Sequence, residues 1–350
     1  MNNIIKEDID IICHNDLDWG KFKDSSILIT GAYGMLAQYM VNTLMSLNEY
    51  YPQLNINVVA LGRDPEKLDN CFKEYSKNKL LTLLCRDVTD YSLTKYLGNV
   101  NYIIHAASPA SSQFYGSNPT GVINANVIGT HNLLNLAREN KVKGFLFLSS
   151  GEVSGKISKE IFTEEDYGPL NPTDLRSCYG ESKRMAENMC KCYNKEFGIP
   201  TICVRPEHTY GPTMDIINDR RVFAEFVSNV VKGEDIIIKS DGKAVRTFCY
   251  IADATDGFFR ALLNGKGGES YNIGNMGGRT SIGDLAEQLV SIFPEKKLKV
   301  IFQPRNDVNY LENKDNIRPT MSTVKIEALG YKPKYNVKDG FYMTVRSFVK

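Results

Sequence analysis

The sequence predicts an α/β chain built on a doubly wound parallel sheet, with a smaller α/β lobe interleaved into its C-terminal half. From Ser26 to about Cys203, short β-rich runs alternate with helical patterns, an order that requires parallel strands joined by crossover helices. The runs are continuously apolar rather than alternating, as strands covered on both faces should be. After Arg205 the texture changes to turn-rich sequence with single strands and long connections, which marks the smaller lobe.

Residues 1–24 precede the sheet as an extension in which Ile4, Ile5, Ile9, Ile12 and Trp19 suggest a short amphipathic helix, read as a packing arm. "ILIT" (Ile27 to Thr30) is the first buried strand, and Leu36, Tyr39, Met40 and Leu44 then recur at helical spacing. "NVVALG", "LLTLLC", "YIIHAA", "GFLFLSS" and "PTICVRP" supply the strands that follow. This reading gives 25–205 and 247–262 to the sheet domain, and 206–246 and 263–350 to the smaller lobe.

With 350 residues, 42% of them hydrophobic, the chain can bury a substantial core. A formal charge of +1 without a basic stripe excludes the electrostatic footprint of a nucleic-acid or membrane-surface binder, so a small-molecule partner is expected. The N-terminal segment lacks a basic stretch followed by an apolar run, and no later stretch has the length of a membrane span; a cytoplasmic location is expected. Cysteines 13, 71, 85, 178, 190, 192, 203 and 249 show no repeated CxxC spacing, which argues against a metal site and for reduced core thiols.

The stretch "ILITGAYGMLAQYM" places Gly31, Gly34 and Ala37 three residues apart where strand becomes helix. Glycine permits a tight turn with free N–H groups at a helix N-terminus, so a dinucleotide pyrophosphate is the expected guest. Ala37 stands where a third glycine is usual and only close packing is required. At the end of the second strand, the position that commonly carries a ribose-binding acid is read as Leu61, followed by Gly62 and Arg63. An arginine there can pair with a 2′-phosphate, so NADP use is expected alongside NAD, with Asp64 as a substitute acid. Asp87 and Val88, after the third strand, are placed to meet the adenine.

"CYGESKRMAE" sets Tyr179 and Lys183 four apart on one helix face. A nearby ammonium favours phenolate, so a tyrosine pKa lowered toward working pH is expected, making an acid–base device for a sugar oxygen. Ser150, in "FLSSGEV", is the third candidate, hydrogen bonding to the same oxygen.

Taken together, "TGAYGMLA", "HAASPAS", "SSGEV", "YGESK", "RPEHTYGP" and "RTFCYIAD" resemble the extended short-chain dehydrogenase/reductases, the NAD-dependent epimerase/dehydratases of nucleotide sugars. Within them, "HAASPAS" and "NPTDLRSCYGESKRMAE" are most similar to UDP-glucuronate decarboxylases. The resemblance covers nearly everything from Ser26 onward. It implies a Rossmann lobe for the dinucleotide, a C-terminal lobe for the sugar nucleotide, and hydride transfer across the cleft between them.

Carried over residue by residue, Ser150, Tyr179 and Lys183 match the family's catalytic group. Glu152 matches the glutamate that decarboxylases and dehydratases keep for the step after oxidation. The cofactor set implied is Gly31, Tyr33, Gly34, Met35, Leu36, Arg63, Asp87, Val88, Ala106, Ala107, Ser108, Asn126, Tyr179, Lys183 and Tyr210. The implied substrate set is Ser108, Arg176, His208, Arg221 and Arg246, the last on the diphosphate. A homodimer is implied through the YxxxK helix and its neighbour, with Arg184, Glu187 and Cys190 near the seam.

Three departures bear on the reaction: Gly151 stands where dehydratases carry an aspartic acid and decarboxylases a serine, His208 stands where asparagine is usual, and the ribose acid is missing. Loss of the acid at 151 argues against 4,6-elimination. NADP is the usual carrier of biosynthetic reductant, so Arg63 tilts the expectation toward NAD(P)H-dependent reduction of a nucleotide-linked keto sugar. A resemblance to a capsule-locus branch with the "SSGEV" form makes a CDP-linked sugar, and surface-polysaccharide synthesis, the expected setting. The alternatives are redox-neutral UDP-glucuronate decarboxylation or epimerisation with bound NAD. An intact Ser150, Tyr179 and Lys183 argue against a noncatalytic NAD(P)-sensing protein.

Overall fold

The computed structural model describes residues 1–111, 113–303 and 319–349. The chain opens with helix α1 (Asn3–Cys13), whose N-cap Asn2 accepts a hydrogen bond from the Ile5 N–H at 3.0 Å. Next come β1 (Ser26–Thr30), α2 (Met35–Tyr50), β2 (Asn57–Gly62), α3 (Pro65–Cys71), β3 (Leu81–Cys85) and β4 (Tyr102–His105). They are followed by α4 (Gln113–Ser117), α5 (Pro119–Asn140), β5 (Gly144–Leu148), β6 (Ile161–Phe162), α6 (Ser177–Phe197) and β7 (Thr201–Pro206).

The remaining elements are β8 (His208–Tyr210), α7 (Val222–Lys232), β9 (Ile236–Ile238), β10 (Val245–Tyr250), α8 (Ile251–Asn264) and β11 (Glu269–Ile273). Then come β12 (Arg279–Ser281), α9 (Ile282–Ile292), β13 (Val300–Phe302), β14 (Thr320–Met321), α10 (Val324–Glu327) and α11 (Val337–Phe348).

Seven strands form one all-parallel sheet in the order β11-β7-β5-β4-β1-β2-β3. β5 is buried at all five positions, as the uninterrupted apolar run "GFLFL" requires of a strand covered on both faces. One face packs into a core with α1, α2 and α8, through Ile9, Tyr39, Met40, Leu44 and Phe258. The other is closed by α5 and α6, through Leu133, Leu134, Ala186 and Cys190. All eight cysteines are unpaired; Cys13, Cys190, Cys203 and Cys249 are buried in the core, whereas Cys85 and Cys192 are exposed, which departs from the expectation of core thiols.

The packing arm is part of this core: Ile9 and Ile12 are buried, and Trp19 packs edge-on against Phe259 of α8 at 5.2 Å between ring centroids. The buried Asp8 accepts from three tyrosine hydroxyls, Tyr39 at 2.8 Å, Tyr250 at 2.7 Å and Tyr335 at 3.0 Å.

Beyond the sheet, β12-β10-β8, β9-β13 and β6-β14 form small sheets. One boundary differs from the sequence reading. Residues 269–273, expected in the smaller lobe, close the edge of the main sheet as β11, pairing Glu269–Ile273 with Ile202–Pro206. Of the 263–350 span, 304–318 and 350 lie outside the described residues.

Strand order reverses at β1: β2 and β3 lie to one side, β4, β5, β7 and β11 to the other. The crevice at the carboxyl ends of β1 and β4 is the switch point at which ligands bind open α/β sheets.

Candidate active site

At that switch point Gly31 adopts φ 64°, and a Cβ there would fall 2.8 Å from the Cα of Ala107. The β1–α2 turn is therefore pressed against Ala106 and Ala107 after β4, a contact only glycine allows. Helix α2 begins at Gly34 without a side-chain cap, so the N–H groups of its first turn, at Met35, Leu36 and Ala37, point outward to accept an anion. Beside them the Ser108 hydroxyl is buried with no partner among the described residues. An uncapped helix end, a glycine cradle and an orphaned hydroxyl together fit a dinucleotide pyrophosphate.

The ribose end corrects the register of the sequence reading. Leu61 is a core residue, because side chains alternate along a strand, and Gly62 is the strand-end position beside the turn. The Tyr33 ring covers Gly62 so closely that a Cβ would lie 2.6 Å from it. Arg63 faces Asp87 at 3.6 Å, so two residues expected at the adenosine form one exposed pair. Asp64 is taken up as the α3 N-cap, accepting from the Lys67 N–H at 3.1 Å, while the Lys67 ammonium stands 5.8 Å from the Tyr33 ring centroid.

Three residues of the expected cofactor set are placed elsewhere. Tyr210 is buried in the aromatic core, stacked on Phe341 at 3.9 Å, with its hydroxyl donating to the Val337 carbonyl at 3.4 Å. Asn126 is fully buried behind α6 and donates to the Ser182 hydroxyl at 2.9 Å. The Val88 side chain fills the core against Gly129, leaving only its backbone to a ligand.

The reacting end assembles from the loop after β5 and the first turns of α6. The Ser150 hydroxyl accepts from the Glu152 N–H at 3.2 Å and acts on the Tyr179 phenol, favouring its ionised form. Lys183, one turn along α6, donates to the Leu148 carbonyl at 2.6 Å, with its ammonium 5.8 Å from the Tyr179 ring centroid. Burial pushes the Tyr179 phenol up to about 12 against the opposing Ser150 hydrogen bond. The expected lowering is absent because the ammonium is directed at a carbonyl and burial dominates. Burial also brings Lys183 down to about 7, partly offset by the charge of Glu187.

Further groups converge on Tyr179. The Tyr115 ring, from α4, stacks on it at 5.1 Å and 17°. Arg176 reaches to 3.8 Å from Glu152 and stands 6.0 Å from the Tyr115 ring centroid. Arg221, whose charge acts on the Tyr179 phenol, lies over Phe223 at 4.6 Å and is held by Asp219. His208 contacts the same Phe223 and, at 6.0 Å, Phe248. Arg246 sits on β10 opposite Thr280, with Nη1 donating to the Val245 carbonyl at 2.7 Å.

Sequence reasoning missed Tyr115, because "QFYG" has no periodicity to mark it. It also passed over Met321, whose sulfur would lie 3.2 Å from a Cβ on Gly151. The three residues expected near a subunit seam are engaged within the chain. Glu187 makes a two-point ion pair with the fully buried Arg205 at 2.9 and 2.7 Å, Cys190 is buried, and Arg184 donates to the Val153 and Gly168 carbonyls. The exposed apolar side chains of the helix pair are Ile123, Met185 and Phe197.

Among the described residues no cluster has a metal-ligating composition, and no helix is long and apolar enough to cross a membrane.

Comparison with known proteins bears on this arrangement. The profile of the NAD dependent epimerase/dehydratase family matches residues 27–274. The chain is 33% identical over 323 residues to UDP-glucuronic acid decarboxylase 6 of Arabidopsis thaliana, covering 92% of this chain and 88% of that one. Its fold is similar to UDP-glucose 4-epimerase of Thermotoga maritima, a structure with UDP-glucose (TM-score 0.76, 23% identity, 92% and 98% of the two chains). It is also similar to UDP-glucuronic acid 4-epimerase of Bacillus cereus, in complex with UDP-glucuronic acid and NAD (TM-score 0.75, 23% identity, 92% and 98%).

Proposed function

The chain belongs to the NAD-dependent epimerase/dehydratase family, and from that premise we propose that it moves a hydride between a nicotinamide dinucleotide and a carbon of a nucleotide-linked sugar. The observation that carries this reading is the meeting of Ser150, from the loop after β5, with Tyr179 and Lys183, one turn apart on α6, beside the crevice that holds the glycine turn.

Gly31, Tyr33, Gly34, Met35 and Leu36 hold the pyrophosphate. Arg63, Asp87 and the Val88 backbone meet the adenosine, and Ala106, Ala107 and Ser108 lie toward the nicotinamide. The dinucleotide, when bound, supplies the hydride acceptor or donor. Ser150 orients the sugar oxygen, and Tyr179 exchanges its proton. A phenol pushed up to about 12 is protonated at neutral pH and is ready as an acid. Acting as a base requires added positive charge near the ring, and the Lys183 ammonium is the group of this chain placed to provide it. Arg246, Arg221 and His208 line the side from which the sugar nucleotide enters, with Arg246 on the diphosphate.

Redox-neutral decarboxylation of UDP-glucuronate is the reading best supported, by Glu152 beside Tyr179 and by a decarboxylase relative matched over 92% of the chain. The second reading, NAD(P)H-dependent reduction of a nucleotide-linked keto sugar such as a CDP-sugar for surface polysaccharide, is favoured by Gly151, which carries no acid and is covered by a thioether. Arg63 and Lys67 beside the ribose support NADP use in that case, although Asp87 and Asp64 offset their charge. Incubation with UDP-glucuronate and with nucleotide-linked keto sugars separates them. Carbon dioxide released without net cofactor change supports the first, and stoichiometric loss of reduced cofactor supports the second. A homodimer through the outer faces of α5 and α6, working in the cytoplasm, accompanies both readings.

A further inference from the structure

Thr30 and His105 end β1 and β4 and lie opposite each other in the register of the main sheet. Both are buried, each two places along its strand from a residue, Leu28 or Ile103, that packs under α5 and α6. The Thr30 hydroxyl is the meeting point of three groups. Its oxygen accepts from the Ala106 N–H and the Ala107 N–H, each at 3.2 Å, and lies 2.9 Å from Nδ1 of His105. Two N–H donors use both lone pairs of a hydroxyl oxygen, so its hydrogen points at Nδ1, which accepts it. The imidazole proton is thereby fixed on Nε2, which is buried with no hydrogen-bond partner among the described residues. An imidazolium does not fit, because its Nδ1–H would meet an oxygen already filled. Burial first and the Lys183 ammonium second bring the ring down to about 3, against the weaker pull of the Ala125 backbone, so it stays neutral. Phe147 packs against both groups, its ring centroid 5.5 Å from that of the imidazole and 4.5 Å from the Lys183 nitrogen.

These contacts fasten the two walls of the crevice. Thr30 immediately precedes Gly31, and Ala107 is the residue against which the Gly31 turn is pressed. One hydroxyl therefore sets the spacing between the glycine turn and the loop carrying Ser108, whose own hydroxyl is orphaned. A buried N–H without a partner is costly, and an apolar side chain at 105 would avoid that cost. Such a side chain lacks the acceptor that Thr30 requires. We propose that Thr30 and His105 are positioning residues of the dinucleotide site: the imidazole orients the Thr30 hydroxyl, which holds the Ala106 and Ala107 N–H groups and so fixes the loop after β4 at its working distance from the glycine turn. That the guest is a dinucleotide rests on the function proposed above; the clamp itself does not.

The test measures NAD affinity of the full chain by titration calorimetry, and amide exchange at Ala106 and Ala107 without ligand. Thr30→Val keeps the shape and removes the hydroxyl; NAD should bind roughly tenfold more weakly, and the two amides should exchange roughly tenfold faster. Thr30→Ser should restore both to within about threefold of the wild type. His105→Leu strands the Thr30 hydrogen and should weaken NAD roughly fivefold, whereas His105→Asn, which offers an amide oxygen in place of Nδ1, should not. A valine variant that binds NAD as the wild type does, a serine variant as weak as the valine one, or leucine and asparagine variants that behave alike overturns the proposal. Where Thr30→Val does not fold, the two His105 variants decide by the same criterion. If the wild type does not bind NAD, the dinucleotide reading fails, and exchange decides the clamp: protection that Thr30→Ser and His105→Asn keep and His105→Leu loses supports it, and equal rates overturn it. Nitrogen-15 spectra of His105 should show a bare Nδ1 and a protonated Nε2; the opposite tautomer overturns the role of the imidazole.

Discussion

Tyr179 carries the sharpest residue-scale expectation, because the proposed proton transfer runs through its hydroxyl. Tyr179→Phe should lower turnover by roughly 10²–10⁴-fold while NAD binding persists, and retained turnover would refute the acid–base role. Tyr115 acts through it by stacking: Tyr115→Phe keeps the ring and should keep the rate, whereas Tyr115→Leu should cost roughly tenfold in kcat with cofactor affinity unchanged. The Ser150, Tyr179 and Lys183 constellation was legible in the sequence because helical spacing projects two of them from one face. Tyr179's raised pKa was not, because burial is a property of the packed site that no local pattern reports. Tyr210 illustrates the same limit: the segment "YGP" places it near the cleft, but its ring turns into an aromatic core with Phe248, Tyr250 and the sequence-distant Phe341.

At the scale of elements, the β1–α2 turn and helix α1 give two separable predictions. Gly31→Ala forces a Cβ into the Ala107 backbone at a positive φ, so NAD binding should be lost and stability should fall by about 1–3 kcal/mol, measured by titration and by urea unfolding. Helix α1 delivers Asp8 into the core, where burial raises its carboxyl to about 6 despite three tyrosine donors. A folded-state pKa above the ordinary carboxylate value means that stability is highest below about pH 4 and declines as pH rises through 6, by about 3 kcal/mol at this site. Urea unfolding at pH 4.5 and 7 should show the wild type losing stability relative to Asp8→Asn as pH rises, and the opposite slope would refute it. The sheet strands were readable because burial on both faces leaves uninterrupted apolar runs. β11 was not: "ESYNI" is half polar, because Asn272 is buried with its backbone N–H donating to the Glu164 carboxylate and its side-chain amide to the Ser322 carbonyl, instead of among apolar side chains.

For the whole molecule, the outer faces of α5 and α6 carry Ile123, Met185 and Phe197 in the open, a surface suited to a second copy. Met185→Glu should convert a dimer to a monomer in sedimentation velocity; a wild type already monomeric would remove that expectation. The main sheet and the small sheets are joined at several points. β7 runs straight into β8, β10 into α8, and β11 returns to the sheet before β12 departs again. A wide hinge needs only one or two flexible strands of chain between its halves, and a seam stitched this often behaves as a weld. Ligand traffic must therefore pass by small displacements of surface loops, and solution X-ray scattering should give the same radius of gyration with and without a bound nucleotide.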